Sequence, residues 1–569
     1  MTQLNAPWLE NLGDVPASLT YSDGTIFDAI EESAKAYPDY IAFDFMGSAT
    51  KYSDFIKRIK EAATSLHKIG VRKGDKVTVC MPNSPQGVII FYAINYIGGI
   101  ANMIHPLSAE KEIEFYIEES KSKFCLTIDI AFSKFENILK SGALKKLIVT
   151  SVKDALSPFM KIAYTLTQKK VNIDLPENGC VIMWNDFLKL AKDETQVSKA
   201  VMDCNDTAVI LYSGGTTGKT KGIMLTSYNF NALAKQVIAT NKMFAPGDKM
   251  LAIMPIFHGF GLGVGIHSML ASGGRCVLIP RFTPDSCADL IKKHRPNFIA
   301  GVPTLYEAFL RSPKFDNIDL SCFKGVFSGG DSLSVELKKK IDKFLKDHNG
   351  KVIIREGYGT TECVTACCLT PTHMSRDGSI GFPFPDTFFK IVAVNTTDEV
   401  PYGQEGEICI CGPTVMKGYM DQEEETNNTL KLHSDGKQWL HTGDLGMMDE
   451  DGFIYFKQRI KRMIVTSGYN VYPSQLENIL DAHELIQMSC VIGVADPYKM
   501  QKVKAFIMLK DKTLATDETK ALILEYCKKN MAKYAIPYDI EFRDTLPKTL
   551  VGKVAYRVLE QEELGKTEE

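Results

Sequence analysis

Apolar residues recur at three- and four-residue spacing over 27–37, 55–69, 86–97 and 110–119, the pattern of helices with one buried face. Between them, the β-branched run 76–80 predicts a strand, and the same alternation returns between residues 248 and 354. Strands alternating with helices predict a layered α/β fold with mostly parallel strands. Near Asp386 the texture changes to short strand-like runs at 388–394, 406–411 and 452–457, predicting a β-rich subdomain. After Lys461 come a strand (463–466), a helix (474–482), two strands (490–494 and 503–509) and a helix (519–533), a small α+β unit of its own. No short fixed period recurs, which excludes a solenoid. The predicted class is therefore α/β. A large N-terminal domain of layered α/β subdomains with a small β-rich subdomain (1–460) precedes a small α+β C-terminal domain (461–569).

Composition narrows the picture only slightly. At 569 residues the chain is too long for one core. A net charge of −3 gives no electrostatic reason to bind nucleic acid. The 14 cysteines show neither paired metal-ligand spacing nor a disulfide framework, and adjacent Cys367 and Cys368 suit a strand or loop. The opening MTQLNAPWLENLGDVP has no basic and apolar leader pattern, so a reducing cytoplasm is expected. The longest apolar runs, 88–100 and 260–270, are short of a membrane span. The segment 157–170, SPFMKIAYTLTQKK, is open to two readings: a helix packed on the body of the protein, or one lying on an anionic membrane surface.

The strongest chemical signal is YSGGTTGKTKG at 212–222, following the buried strand pattern TAVIL. Glycines let backbone N–H groups approach phosphate oxygens, hydroxyls donate to them, and lysine balances their charge. A P-loop GxxxxGK[ST] is excluded because its first position falls on Ser213. Five further motifs follow in order: SGGDSL (328–333), GYGTTE (357–362), HTGD (441–444), QRIKRMIVTSGYNVYP (458–473) and PKTLVGK (547–553).

This ordered series resembles the adenylate-forming superfamily of acyl-CoA synthetases, luciferase and peptide-synthetase adenylation domains. Its YSGGTTG loop and the 157–170 segment look most like bacterial medium- and long-chain fatty acyl-CoA ligases, so the expected substrate is a fatty or arylalkanoic acid. The resemblance implies two steps. A carboxylate attacks the α-phosphate of ATP and releases pyrophosphate, and a thiol, that of coenzyme A, then attacks the acyl-adenylate. It implies phosphate contacts from Ser213, Gly214, Gly215, Thr216, Thr217, Gly218 and Lys221, and nucleotide contacts from Gly329, Gly330 and Asp331. Tyr358 is expected to stack on adenine beside Gly359 and Thr360, Thr361 to touch phosphate, and Glu362, with Thr217, to hold Mg²⁺. Asp444 is the expected partner of the ribose hydroxyls, assisted by Arg459. Lys553 is expected to bridge the attacking carboxylate and the α-phosphate, while Gly468, in the 467–469 loop, serves the thioester step after rotation at the hinge Lys461. Two positions depart from the family pattern: Thr220 stands where proline is usual, and Gln458 where aspartate is common.

For the acyl group the resemblance points to His258, Gly259, Gly263 and Val302. Glycines at 259, 261, 263 and 265, inside an expected helix, are open to two readings: room for a long acyl group, or close helix packing. The stretch carries no lysine or arginine, which disfavours a second substrate carboxylate there. Rival functions are an acyl-AMP ligase loading a carrier protein and a noncatalytic nucleotide-binding relative. The first lacks its characteristic insertion between 370 and 381, and the second does not require Glu362, Asp444 and Lys553 together.

Overall fold

Local chemistry starts the helices where the pattern places them. Thr25 accepts from the Asp28 N–H and Asp28 answers with its carboxylate, a reciprocal cap that opens helix Ile26–Ala36. Ser84 caps Pro85–Tyr96, whose first residue is the proline that helix starts favour, and every residue of that helix is buried. Tyr52–Lys68, Glu110–Ser120, Pro473–Asp481 and Asp517–Asn530 also form within three residues of their expected ends. The computed structural model of the protein describes residues 6–167, 179–192, 194–213, 220–466, 469–549 and 553–567.

Among the described residues two large sheets carry the α/β layers. One runs Gly418–Tyr419, Lys221–Thr226, Thr207–Ser213, Ile100–Ile104, Lys76–Cys80, Phe124–Ile128, Lys146–Thr150, Val181–Met183. It is parallel from Thr207–Ser213 onward. The other is parallel through Ile41–Phe45, Arg275–Leu278, Lys249–Ala252, Phe298–Gly301, Gly325–Ser328 and Ile354–Tyr358, with antiparallel strands at both edges. Phe91 and Tyr92 of the buried helix pack on Phe230, Phe55 and His267. Asn83 stitches the sheets at their carboxyl ends, donating to the Ala252 and Met254 carbonyls and accepting from the Ile256 N–H.

A third sheet, antiparallel, holds Phe388–Val392, Gly406–Cys411, Gln438–Met448, Leu430–Leu432 and Ile454–Arg459. It is the β-rich subdomain of the sequence reading. The last sheet pairs Ile486–Asp496 with Met500–Leu509 in a long hairpin, flanked by Ile464–Thr466 and Asp539–Phe542. Hydrophobic cores divide accordingly. One cluster runs from Trp8 to Ile454, and two others lie wholly between Ile464 and Leu559.

All 14 cysteines are free. Among the described residues no helix is long and apolar enough to cross a membrane. The 157–170 segment forms helix Pro158–Thr167, and its last three residues lie outside the described ones. Met160 and Tyr164 pack on the main core, whereas Phe159 and Ile162 are 79% and 65% exposed. One edge of the helix is docked on the body of the protein and the other is bare.

Candidate active site

Open α/β sheets bind ligands beyond the carboxyl ends of their strands. Here Gly325–Ser328 runs into Gly329, Gly330 and Asp331, and its parallel neighbour Ile354–Tyr358 runs into Gly359, Thr360, Thr361 and Glu362. The second loop is held by a strained turn. The Thr365 N–H donates to the Cys363 carbonyl at 2.7 Å around Val364, at φ 64° and ψ −58°, a γ-turn that a β-branched residue rarely adopts. The loop can double back because glycine lies on both sides of it. A Cβ on Gly359 would stand 1.9 Å from the Thr365 carbonyl oxygen, and one on Gly259 would stand 1.8 Å from that of Val364. Gly259→Ala therefore has to displace the turn presenting Thr361 and Glu362. Such overfilling costs about 1–3 kcal/mol. The variant is expected to melt lower and to bind ATP more weakly, as checked by a thermal melt and a nucleotide titration.

These loops open on a cavity of about 1570 Å³. Thr360, Thr361, Glu362, Tyr358 and Gly359 line it, as do Gly329, Gly330 and Asp331. So do Lys221, His258, Asp444, Arg459, Lys461 and Lys553. Residues from all six sequence motifs thus meet at one cavity. Ser213 ends its strand opposite Lys221; Gly214, Gly215, Thr216, Thr217 and Gly218 lie outside the described residues, as does Gly468.

Asp444 and Arg459 are direct cross-strand neighbours in the antiparallel pair Gln438–Met448 and Ile454–Arg459. Arg459 Nε lies 2.9 Å from Asp444 Oδ1, an ion-pair contact outside hydrogen-bond geometry, and Arg459 also donates to the Thr442 carbonyl. Tyr358 donates to Asp444 Oδ2 at 2.6 Å. Asp444 is only 1% exposed, and burial raises its carboxyl while the Arg459 charge opposes that shift. Its Oδ1 keeps acceptor capacity with no hydrogen bond among the described residues, as a carboxylate awaiting hydroxyl donors requires. Tyr358 is edge-on to Phe389 and tilted against Phe456, so its ring is fixed as well as its hydroxyl.

Burial lowers the Lys553 ammonium below the ordinary lysine range, and Asp331 and Asp444 pull it back up. Its loop is pinned on both sides: the Thr549 N–H donates to the Lys553 carbonyl at 2.7 Å, and Thr549 Oγ1 accepts from the Lys553 N–H. His258 is held neutral, pushed down to about 4 first by burial and then by Lys553. On the opposite wall Glu362 accepts from the Tyr419 hydroxyl at 3.0 Å, and the Glu362 carbonyl takes the Met416 N–H. Lys221 sits 4.7 Å above the Tyr419 ring and pairs with Glu425.

The cavity has an apolar branch that the motifs did not reveal. Val237, Phe244, Met250, Val264, Met269 and Phe298 line it, drawn from two strands and the helical segments around 227–270. The glycine stretch forms a π-helical turn, Phe260–His267, and only part of it faces the cavity. Of the two readings of Gly259 and Gly263, acyl room or close packing, the distances favour packing. Gly259 is pressed on Val364, and a Cβ on Gly263 would meet Leu233 at 2.8 Å, so these glycines serve close packing. Val302 is buried behind the wall, its Cγ1 3.5 Å from where a Gly330 Cβ would stand. Sequence reasoning also missed Glu356, buried in the cavity wall, where burial pushes its carboxyl up to about 8 and the Leu333 N–H donates to it. Gln458, one of the two departures, is 1% exposed with neither amide atom hydrogen-bonded.

Comparison with known proteins agrees over the whole chain. Residues 30–420 match the AMP-binding enzyme family, and residues 475–553 match the AMP-binding enzyme C-terminal domain. A long-chain-fatty-acid–CoA ligase of Bacillus subtilis is 37% identical over 99% of both chains. One from Escherichia coli O6:H1 is 32% identical over the same share of each. Among solved structures, ATP-bound MatB from Rhodopseudomonas palustris superposes with a TM-score of 0.82 at 25% identity, covering 95% of this chain and 99% of that one.

Proposed function

The chain belongs to the AMP-binding enzyme family, and from that premise we propose that it is an ATP-dependent, AMP-forming ligase that joins a long-chain fatty acid to coenzyme A. The observation that carries this reading is the single cavity in which Lys553, Glu362 and the Tyr358–Asp444 pair face an apolar branch. Relatives named as long-chain-fatty-acid–CoA ligases along the full chain support the substrate class, and the ATP-bound solved structure supports the nucleotide.

In the first step a carboxylate oxygen bonds to the α-phosphorus of ATP and the bond to pyrophosphate breaks. Two anionic groups must approach, so the site has to supply positive charge. Lys553 is the C-terminal unit's contribution; burial and the Arg459 charge lower its ammonium, and the Asp331 and Asp444 carboxylates oppose that shift. Tyr358 positions the base, and Asp444 takes the ribose hydroxyls on its free oxygen. Glu362 fits Mg²⁺, being a hard carboxylate on the short helical turn Thr361–Cys363, and it would hold the ion together with phosphate oxygens. That ion would neutralise phosphate charge. In the second step the CoA sulfur bonds to the acyl carbon, AMP leaves with the bonding pair, and the thiol proton passes to solvent. We place the division between domains at 460 and 461, with Lys461 as hinge, on the separation of the hydrophobic cores.

Assay of AMP, pyrophosphate and acyl-CoA with Mg-ATP, CoA and fatty acids of graded length tests this function; formation of ADP overturns it. The apolar branch adds a sharper expectation. Val264→Trp fills the branch, so activity on long acids should fall roughly 5–100-fold, the effect of about 1–3 kcal/mol of overpacking, while short acids are spared. Gly263→Leu, which collides with Leu233 behind the wall, should depress all lengths alike. Comparing kcat/KM across chain lengths for the two variants separates pocket from packing.

A further inference from the structure

We propose that Cys409, His433 and His441 form a binding site for a borderline-soft d¹⁰ cation, with Zn²⁺ as its probe, on the face of the β-rich sheet opposite the main core. Among the described residues these three are the one His/Cys/carboxylate group whose donor atoms all lie within 4.8 Å of one another, and all three are buried. The register creates the cluster. Cys409 and His441 are direct cross-strand partners, so their side chains share a face, and His433 arrives from the hairpin joining Leu430–Leu432 to Gln438–Met448.

The hydrogen-bond pattern leaves the lone pairs a metal needs. His441 Nδ1 faces Glu407 Oε2 at 2.9 Å, and a carboxylate can only accept, so the proton sits on Nδ1 and Nε2 carries a lone pair. His433 Nε2 stands 3.0 Å from that nitrogen, so in the metal-free protein the two share one proton; a bound cation takes its place between the two Nε2 lone pairs as the His433 proton moves to Nδ1. Glu407 occupies the supporting role in which a carboxylate orients a metal-bound imidazole.

Size and charge also fit. With Zn–N near 2.0–2.1 Å and Zn–S near 2.3 Å, tetrahedral N–N and N–S pairs stand about 3.3–3.6 Å apart, against 3.0 Å between the two Nε2 atoms and at most 4.8 Å across the cluster. Lys390, opposite Cys409, is already paired with Asp435 at 2.6 Å, so Glu407 is left to balance the single positive charge of a cation bound to one thiolate. His441 and Glu407 line the wall of the large cavity, which supplies the access route. Glu407 Oε1 also accepts from the Gly443 N–H at 2.9 Å, so an occupied site braces the turn that carries Asp444.

The test uses the full chain stripped with a chelator, then titrated with Zn²⁺ or Co²⁺ in excess Mg²⁺. Wild-type protein should retain one equivalent of Zn²⁺ after gel filtration, and Co²⁺ should give thiolate-to-metal charge-transfer absorption. Cys409→Ser should lose that absorption. His433→Gln, which keeps a polar side chain and leaves the Cys409 thiol in place, should bind at least ~10-fold more weakly, the loss seen even when a supporting group is removed. Melting curves establish that each variant is folded. Absent Zn²⁺ retention by the wild type, or an unchanged metal content in folded His433→Gln, overturns the site; an unchanged Co²⁺ spectrum in Cys409→Ser does the same.

Discussion

Lys553→Ala is expected to slow adenylate formation roughly 10²–10³-fold, the range for loss of one preorganised electrostatic contact, and to leave conversion of supplied acyl-adenylate and CoA to thioester nearly unchanged. The asymmetry follows from when the charge is needed. The Lys553 ammonium, within electrostatic reach of Asp331 and Asp444, stabilises the approach of carboxylate to α-phosphate, whereas the thiol attack proceeds away from a phosphate already made. A pH corollary has a definite sign. Burial lowers the Lys553 ammonium below its ordinary 10.5, so the cation is lost, and adenylation falls, at a lower pH than for a solvated lysine. Single-turnover measurement of each half-reaction across alkaline pH checks both statements. Equal loss of the two steps in Lys553→Ala overturns the assignment.

Much of this arrangement was legible in the chain, and the exceptions have physical causes. Strand 76–80 and the helix starting at Glu110 were readable because periodicity and breakers agree there. Strand 490–494 proved to be the middle of Ile486–Asp496, because Gln487 and Ser489 alternate polar positions into a hairpin whose pairing, not composition, sets its length. Motif residues announced the nucleotide end of the cavity, since glycines and charged groups at fixed spacing have few other uses. The apolar branch was silent. Met250 and Phe298 are as buried as any core residue, and a side chain facing a cavity has the same pattern in sequence as one facing a neighbour. The glycines at 259 and 263 were ambiguous for a related reason. A missing side chain marks close approach or open room alike, and the distances to Val364 and Leu233 decide for approach. The Cys409–His433–His441 cluster was invisible too, because strand register places together residues separated by 24 and 8 positions.

The thioester step should answer to the small domain's rotation. Tyr469 is 55% exposed, stacked on Tyr534 with ring centroids 4.4 Å apart, and it does not line the cavity that holds Lys553. Tyr469 and Lys553 flank segments whose apolar clusters lie between Ile464 and Leu559, so on the proposed rotation about Lys461 the two are expected to reach the acyl carbon in turn. Lys461 is the second residue of the short helical turn Ile460–Arg462, and the fixed φ of proline lies in the range of such a turn. Lys461→Pro should therefore leave the present arrangement intact and obstruct the φ/ψ change that a hinge must absorb. Adenylation is expected to stay within about twofold of Lys461→Ala, which controls for the lost charge, while thioester formation drops roughly 10²-fold, the penalty for reacting groups misplaced by an ångström. Gly468→Trp, acting at the loop and not at the hinge, should give the same signature: adenylate accumulates and thioester does not. Rapid-quench quantification of acyl-adenylate and acyl-CoA in the three variants decides the matter, since a hinge without function would leave Lys461→Pro and Lys461→Ala alike in both steps.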